Sequence, residues 1–312
     1  MITKRCRETV LACTVSVLLA ACGGGGGGGG SPPAMTAPTP AATTNTPTPA
    51  PNYRPPEALG DGWAVAPAGD AGVIELSLDT MLADIRGGFW RNIDGVAAAR
   101  RGVLFLDENL RTSLAANDTA AGNQDPALHR VYSVTKSVTA TVVGIAIEQG
   151  RLTGVDASLY DLFPAYSPFE NWDARKAGTT VEDFLTMRHG LEWDELTHPY
   201  TDARNSLAIA LGTCTDYVDC LLDLPLASDP GTTFAYSTHA SHALGAIVAD
   251  QTGETFAAYT EQHLLQPLQI REHLWALPSP SGRAQAGSGL FLSVRDMAKL
   301  GQLYLDDGQW RE

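Results

Sequence analysis

An α/β (α+β) domain, a mixed sheet flanked by helices with a helical subdomain inserted between its strands, is the fold this sequence predicts. Three observations carry the prediction. Strand-like runs fall near both ends of the body, at Val96–Leu106, Leu110–Leu114 and Gly289–Ser293, and bracket a middle that reads as helix and loop. Separated strands of this kind join one sheet when the intervening chain forms its own layer. The run from Val134 to Ile147 is apolar on nearly every face, as in a helix enclosed by the rest of the fold. From Trp63 onward the chain is roughly 250 residues long, enough for one sizeable core.

The elements follow in order. Residues 1–21 read as a signal peptide, with Lys4, Arg5 and Arg7 before an apolar run, Val10–Ala21, too short to span a bilayer comfortably. The run ends in Leu19-Ala20-Ala21-Cys22, which resembles the bacterial lipobox. That resemblance implies that Cys22 is lipidated and begins the mature chain; ordinary cleavage with Cys22 incidental is the alternative. Residues 22–62, with eight consecutive glycines and then a Pro/Thr/Ala tract, bury no apolar surface and read as a tether. Residues 63–312 form the folded domain. Gly23 after the cysteine resembles lipoproteins sent to the outer membrane, so the expected location is the bacterial cell envelope, facing the periplasm.

Within the body, Leu78, Leu82, Ile85 and Phe89 have helical spacing, which predicts a helix from Leu78 to about Trp90. Val96–Leu106 and Leu110–Leu114 predict two strands turning at Asp107-Glu108-Asn109. After a polar loop, the Ser133 helix runs to Gly150. A loop-rich helical middle occupies Ala157 to Leu226, and Asp229-Pro230-Gly231-Thr232 is a turn. Helices are predicted from Ser241 to Thr252, Phe256 to Leu265 and Val294 to Leu305, the last with Met297, Leu300 and Tyr304 on one face.

Charge and cysteines narrow the function classes. The leader removes Lys4, Arg5, Arg7 and Glu8 from 21 basic and 35 acidic residues, leaving 18 and 34, a net of −16. Such a body is repelled by nucleic acid and by anionic lipid, so membrane association is expected through the lipid anchor only. Cys214 and Cys220 remain as an even pair in an exported chain and read as a disulfide. A zinc site lacks partners at metal spacing.

Ser133-Val134-Thr135-Lys136 carries the chemistry. Three residues apart, hydroxyl and amine share one helix face. Burial and the positive end of the helix dipole both disfavour an ammonium there, so Lys136 can act as base towards a Ser133 nucleophile. The plainer reading makes Ser133 a helix cap and sends the Lys136 head to water. The chain holds only four lysines, which makes the spacing less expected by chance.

With its ordered companions, this motif resembles the serine β-lactamase and penicillin-binding superfamily. The likeness is greatest to the branch of class C β-lactamases, D-aminopeptidase-like proteins, carboxylesterases and 6-aminohexanoate-dimer hydrolases. It covers most of Leu78 to Glu312. Tyr236-Ser237-Thr238, just after Pro230-Gly231-Thr232, stands where that branch has Tyr-x-Asn. Val181–Leu191 resembles its "LLxMxSGL" stretch, and Gly289–Gly301 its "GGLxSTAxDLARFG" stretch. The resemblance implies a β-lactamase-like mixed antiparallel sheet and an acyl-enzyme on Ser133, with Lys136 as base. Tyr236 would carry a proton to the leaving group, its own pKa lowered by Lys136. Tyr236 taken alone would read as a core tyrosine.

The implied substrate is a small ester, amide, peptide-like molecule or β-lactam, and no cofactor or metal is expected. Thr238 replaces the usual Asn at a substrate-binding position, which tilts the reading from β-lactams towards small esters or linear amides. The family's third motif, a Lys/His-x-Gly strand, is expected several tens of residues after Leu305. The sequence ends at Glu312 before it, so the expectation is a C-terminally incomplete domain missing its last strands. That strand would give one oxyanion-hole donor, the other being the Ser133 N–H; losing one costs about two to three orders of magnitude in rate. A non-catalytic, truncated lipoprotein of this fold that binds cell-wall or peptide ligands is therefore the alternative. His239 and His242, three apart beside Tyr236, have the spacing of a metal pair but no carboxylate at a matching interval, and read as ordinary polar residues at a helix start. Glu192, Asp194 and Glu195 around Trp193 follow the Gly190 turn and could line the pocket, but read more readily as a solvated acidic loop. No glycine pattern suited to cradling phosphate is present.

Overall fold

The computed structural model describes residues 51–310. The expected signal peptide and Cys22 lie outside the described residues. In chain order the elements are β1 (Ala64–Val65), α1 (Glu75–Arg86), β2 (Gly95–Arg100), β3 (Val103–Asn109), α2 (Ala116–Ala120), β4 (His129–Arg130) and α3 (Val134–Glu148). Then follow α4 (Val181–Leu185), α5 (Ser206–Thr213), α6 (Tyr217–Leu222), α7 (Thr238–Thr252), α8 (Phe256–Thr260), β5 (His273–Trp275), β6 (Leu290–Leu292) and α9 (Val294–Leu305).

The strands form two three-stranded sheets, ordered β1-β3-β2 and β4-β6-β5. In the first, β2 and β3 are antiparallel and β1 joins parallel to β3. The hairpin does not turn at Asp107-Glu108-Asn109 as the sequence suggested. Those residues lie in β3, where Glu108 pairs with Val96 and Asp107 with Ala97. The chain reverses at Arg101 and Gly102, with φ of +52° and +74°. Two left-handed residues in succession match the right-handed twist of the flanking strands, which ordinary turns do not. Leu110–Leu114 forms no strand. In the second sheet β6 is central and antiparallel to both neighbours, with Phe291 opposite Arg130 on one side and Leu274 on the other.

Helix α3 packs against α7, and the two make the centre of the main core. Val142, Val143 and Ala146 on α3 meet no solvent, nor do Ala240, Ala243 and Ile247 on α7. Val134 is the exception among the apolar residues of α3 and is exposed at its mouth. The inserted middle is short helices and 3-10 turns, with Cys214 and Cys220 disulfide-bonded across the junction of α5 and α6 at a Cα–Cα distance of 6.2 Å. The helix expected from Phe256 to Leu265 is α8 followed by a π turn, Glu261–Leu265.

Chain before Trp63 packs on this body. The Tyr53 hydroxyl donates to the Phe105 carbonyl and accepts from the Ala68 N–H, both at 2.8 Å. Buried Asp61 faces α9: Arg295 Nε lies 2.7 Å and Lys299 Nζ 3.1 Å from its carboxylate, with Asp296 3.0 Å from Lys299. Burial opposes ionisation of Asp61, but its bonds to Arg295 and Lys299 prevail and hold its carboxyl well below the usual range.

Candidate active site

Three pieces of chain converge where α3 begins. Strand β4 leads into Tyr132, whose left-handed backbone (φ +43°) turns the chain so that Ser133 stands at the start of α3. The Ser133 side chain makes no cap hydrogen bond. Its Oγ instead lies 3.1 Å from Lys136 Nζ, one turn along the same face, and accepts the Tyr236 hydroxyl at 2.7 Å. Lys136 does not send its head to water. Its nitrogen also donates to Thr238 Oγ1 at 3.0 Å and to the Gly287 carbonyl at 2.8 Å, and lies 5.0 Å from the centre of the Tyr236 ring.

Tyr236 is placed by the stretch around Met187–Gly190. The Ala235 N–H donates to the Met187 carbonyl at 2.8 Å, and buried His189 sits 3.1 Å from the Ala235 carbonyl through Nε2. The Gly231 N–H bonds Arg188 O, and the Ala227 and Ser228 N–H groups bond Gly190 O. Loop 227–235 is thereby fixed along its length, and delivers Tyr236 to Ser133. Helix α7 starts at Thr238, three residues earlier than the sequence suggested, because the Ser237 side chain caps it by accepting the Ala240 N–H.

The third piece is the loop before β6. Gly287 has room for no side chain: a Cβ there would fall 2.6 Å from the Thr238 carbonyl oxygen. Its N–H donates to His242 Nδ1 at 3.1 Å, so His242 anchors the residue whose own carbonyl, in the next peptide unit, receives Lys136.

Burial sets the electrostatics. It pulls the Lys136 amine from its ordinary 10.5 to about 8, against an upward pull from Glu195. Tyr236 behaves oppositely to the expectation that Lys136 would lower it. Burial raises its pKa, with Glu195 and Tyr200 adding to the rise and only the Ser133 bond opposing it. The phenol is therefore protonated at neutral pH and acts as a donor.

One expectation for the surroundings needs correction. His239 and His242 do lie in the first two turns of α7, and they are buried there. His239 packs between Trp193 and Tyr217, with ring centroids 5.1 and 4.5 Å away, and burial lowers its pKa to about 4. Glu195 is only 2 % exposed, in contrast to the expected solvated acidic loop. Its Oε2 accepts from Trp193 Nε1 at 3.1 Å and from the Thr238 N–H at 2.7 Å; its Oε1 accepts the Thr238 hydroxyl at 2.5 Å. Thr238 faces the amine, and Glu195 backs it. Gly287 is the polar neighbour that sequence reasoning missed, and Glu195 the one it raised as a pocket residue but set below a solvated loop. Among the described residues no group of three or more His, Cys, Asp or Glu side chains is placed to hold a metal.

A serine and lysine one helical turn apart, met by a tyrosine from the approach to a second helix and backed by a small antiparallel sheet, define the class as a β-lactamase-like α/β fold. The β-lactamase family model matches residues 94–312, and the chain belongs to that family. Three solved structures share the fold. One is a Bacillus anthracis protein assigned as a 6-aminohexanoate-dimer hydrolase (TM-score 0.55, 18% identity, covering 70% of this chain and 55% of that one). Another is the octameric penicillin-binding protein homologue from Pyrococcus abyssi (0.51, 17%, 75% and 56%). The third is EstCE1, a hydrolase with promiscuous acyltransferase activity (0.52, 18%, 75% and 74%). The chain thus spans little more than half the length of the first two.

Proposed function

We propose that this protein is a serine hydrolase that cleaves a small ester or linear amide through an acyl-enzyme on Ser133. One observation carries the reading: Ser133 Oγ lies between a buried amine at 3.1 Å and a protonated phenol at 2.7 Å, with no competing cap bond. Uncharged Lys136 takes the Ser133 proton as the Oγ–carbon bond forms. Tyr236 gives its proton to the departing alcohol or amine as the carbon–heteroatom bond breaks. The Lys136 ammonium then returns a proton to the Tyr236 phenolate. Water, losing a proton to Lys136, attacks the acyl carbon, and Ser133 leaves with that proton to free the carboxylic acid. Among the described residues the Ser133 backbone N–H donates to no backbone carbonyl, which supports its use as an oxyanion donor.

A fluorophosphonate probe tests the assignment. Labelling of the full-length protein is expected, and is expected to vanish in Ser133→Ala. A wild type that takes neither this probe nor a penicillin probe overturns the assignment in favour of a non-catalytic binder of cell-wall or peptide ligands.

Lipidation at Cys22, with the domain held on its tether at the periplasmic side of the envelope, completes the proposal. Incorporation of a radiolabelled fatty acid, lost in Cys22→Ser, is the expected result.

A further inference from the structure

We propose that Glu195 is a positioning residue for Lys136: its carboxylate claims the one proton of the Thr238 hydroxyl, so that hydroxyl can only accept from Lys136. The lone pair of the uncharged amine is then left facing Ser133. The inference rests on the reading of Ser133 and Lys136 as an acyl-transfer pair.

The argument is a count of donors and acceptors. An uncharged amine has two N–H groups and one lone pair, and Lys136 Nζ has three oxygen neighbours: Gly287 O at 2.8 Å, Thr238 Oγ1 at 3.0 Å and Ser133 Oγ at 3.1 Å. A carbonyl can only accept, so Gly287 takes one N–H. Thr238 could accept or donate. Its proton is committed, because Glu195 Oε1 is 2.5 Å away and an ionised carboxylate can only accept. Thr238 therefore takes the second N–H. Ser133 is left with its own proton to give, and its oxygen already accepts Tyr236. All four bonds then run one way, from Tyr236 to Ser133, Lys136, Thr238 and Glu195. Glu195 itself cannot turn, since Oε2 is held by the Trp193 indole and the Thr238 N–H.

Other groups around the amine do not substitute for Glu195. Tyr236 faces it from the loop before α7, and His239 and His242 from α7 itself, both histidines kept uncharged by burial. Tyr200 faces Glu195 and Tyr236. Among the described charged and titratable groups acting on Lys136, Glu195 is the one that favours its ammonium form. Loss of its charge is therefore expected to move the Lys136 titration to lower pH.

The test uses the full chain with Glu195→Gln, Thr238→Val, Thr238→Ser and the double variant Glu195→Gln/Thr238→Val. Fluorophosphonate labelling rate is read against pH. Lys136 Nζ is titrated by NMR in protein carrying 15N-lysine, where only four lysines contribute. Labelling is expected to fall about 100-fold in Glu195→Gln and in Thr238→Val, near the low end for loss of an oriented base. The double variant is expected to be no worse than Thr238→Val, since Glu195 acts through that hydroxyl, and Thr238→Ser, which keeps the hydroxyl, is expected to recover most of the labelling lost in Thr238→Val. In Glu195→Gln the pH limb and the Lys136 titration should both move to lower pH, a change that mere loosening of the loop does not produce. Additive losses in the double variant, or a Lys136 titration unmoved by Glu195→Gln, overturn the inference. If Glu195→Gln does not fold, Thr238→Val against Thr238→Ser still decides, since wild-type labelling in Thr238→Val also overturns it. Wild-type protein that takes no probe defeats the acyl-transfer reading instead, a result the NMR arm keeps separate.

Discussion

Lys136 and Lys299 both draw their amines in from solvent, and their surroundings could hardly differ more. Lys299, on α9, is fully buried yet meets two carboxylates, Asp61 at 3.1 Å and Asp296 at 3.0 Å, beside the Gln269 carbonyl. Lys136, on α3, meets two hydroxyls and a carbonyl, with its nearest carboxylate one hydroxyl further away. Burial of an amine is thus not enough to make a base. Direct carboxylate partners make the Lys299 amine a structural tie, whereas burial among neutral oxygens leaves Lys136 inclined to lose its proton. Lys176 shows the intermediate case, fully buried against the Leu222 carbonyl at 2.9 Å and lowered by burial, but with no hydroxyl nucleophile among its hydrogen-bond partners.

The sharpest way to break the comparison is to remove each amine in turn. Lys136→Met is expected to slow fluorophosphonate labelling about a thousandfold while thermal denaturation shows a Tm equal to or above wild type. Lys299→Met should do the reverse, leaving labelling of the folded protein intact and lowering stability by ~3 kcal/mol because Asp61 and Asp296 lose a buried partner. Equal losses of activity and stability in both variants would remove the distinction.

A smaller effect separates the two by pH. In its proposed role as base Lys136 acts uncharged, so labelling should rise as pH rises through about 8. Its stability contribution has a matching sign. The folded value is depressed below the ordinary 10.5, so holding the ammonium costs stability below about 8, and the cost fades towards 10.5. The Tm gap between Lys136→Met and wild type should therefore narrow from pH 7 to pH 10.

The smallest effect belongs to acid. Asp61 is depressed in the folded state, so its stabilisation is full above the unfolded carboxylate value of about 3.9 and is lost as pH falls below it. Wild type should lose more stability between pH 4 and pH 2 than Lys299→Met does. Parallel losses would show that Asp61 is not the group responsible.

What the sequence disclosed follows from how local each feature is. Ser133 and Lys136 were legible because three residues on a helix place two side chains together whatever the rest of the fold does. Tyr236 lies 103 residues from Ser133 and could be named only from the order of the motifs around it. Val294–Leu305 was read to the residue, since a Ser293 cap and a strongly amphipathic run mark both ends. Glu195 was only half legible: its place after the Gly190 turn allowed a pocket residue, but a Trp-Asp-Glu run looks like solvent-facing loop until Thr238, 43 residues on, brings a helix start against it. The hairpin misled for another reason. Three polar residues at 107–109 looked like a turn, while the left-handed pair Arg101-Gly102 carried the quieter signal.

Gly287 has a consequence for how such a pocket can diverge. Any side chain there collides with the backbone of Thr238, so accepting one means moving the first turn of α7, and with it Tyr236 two residues upstream. Both walls would have to be rebuilt in the same step. Single substitutions at Gly287 are therefore expected to be costly, and diversity in the pocket is expected to come from elsewhere along its rim.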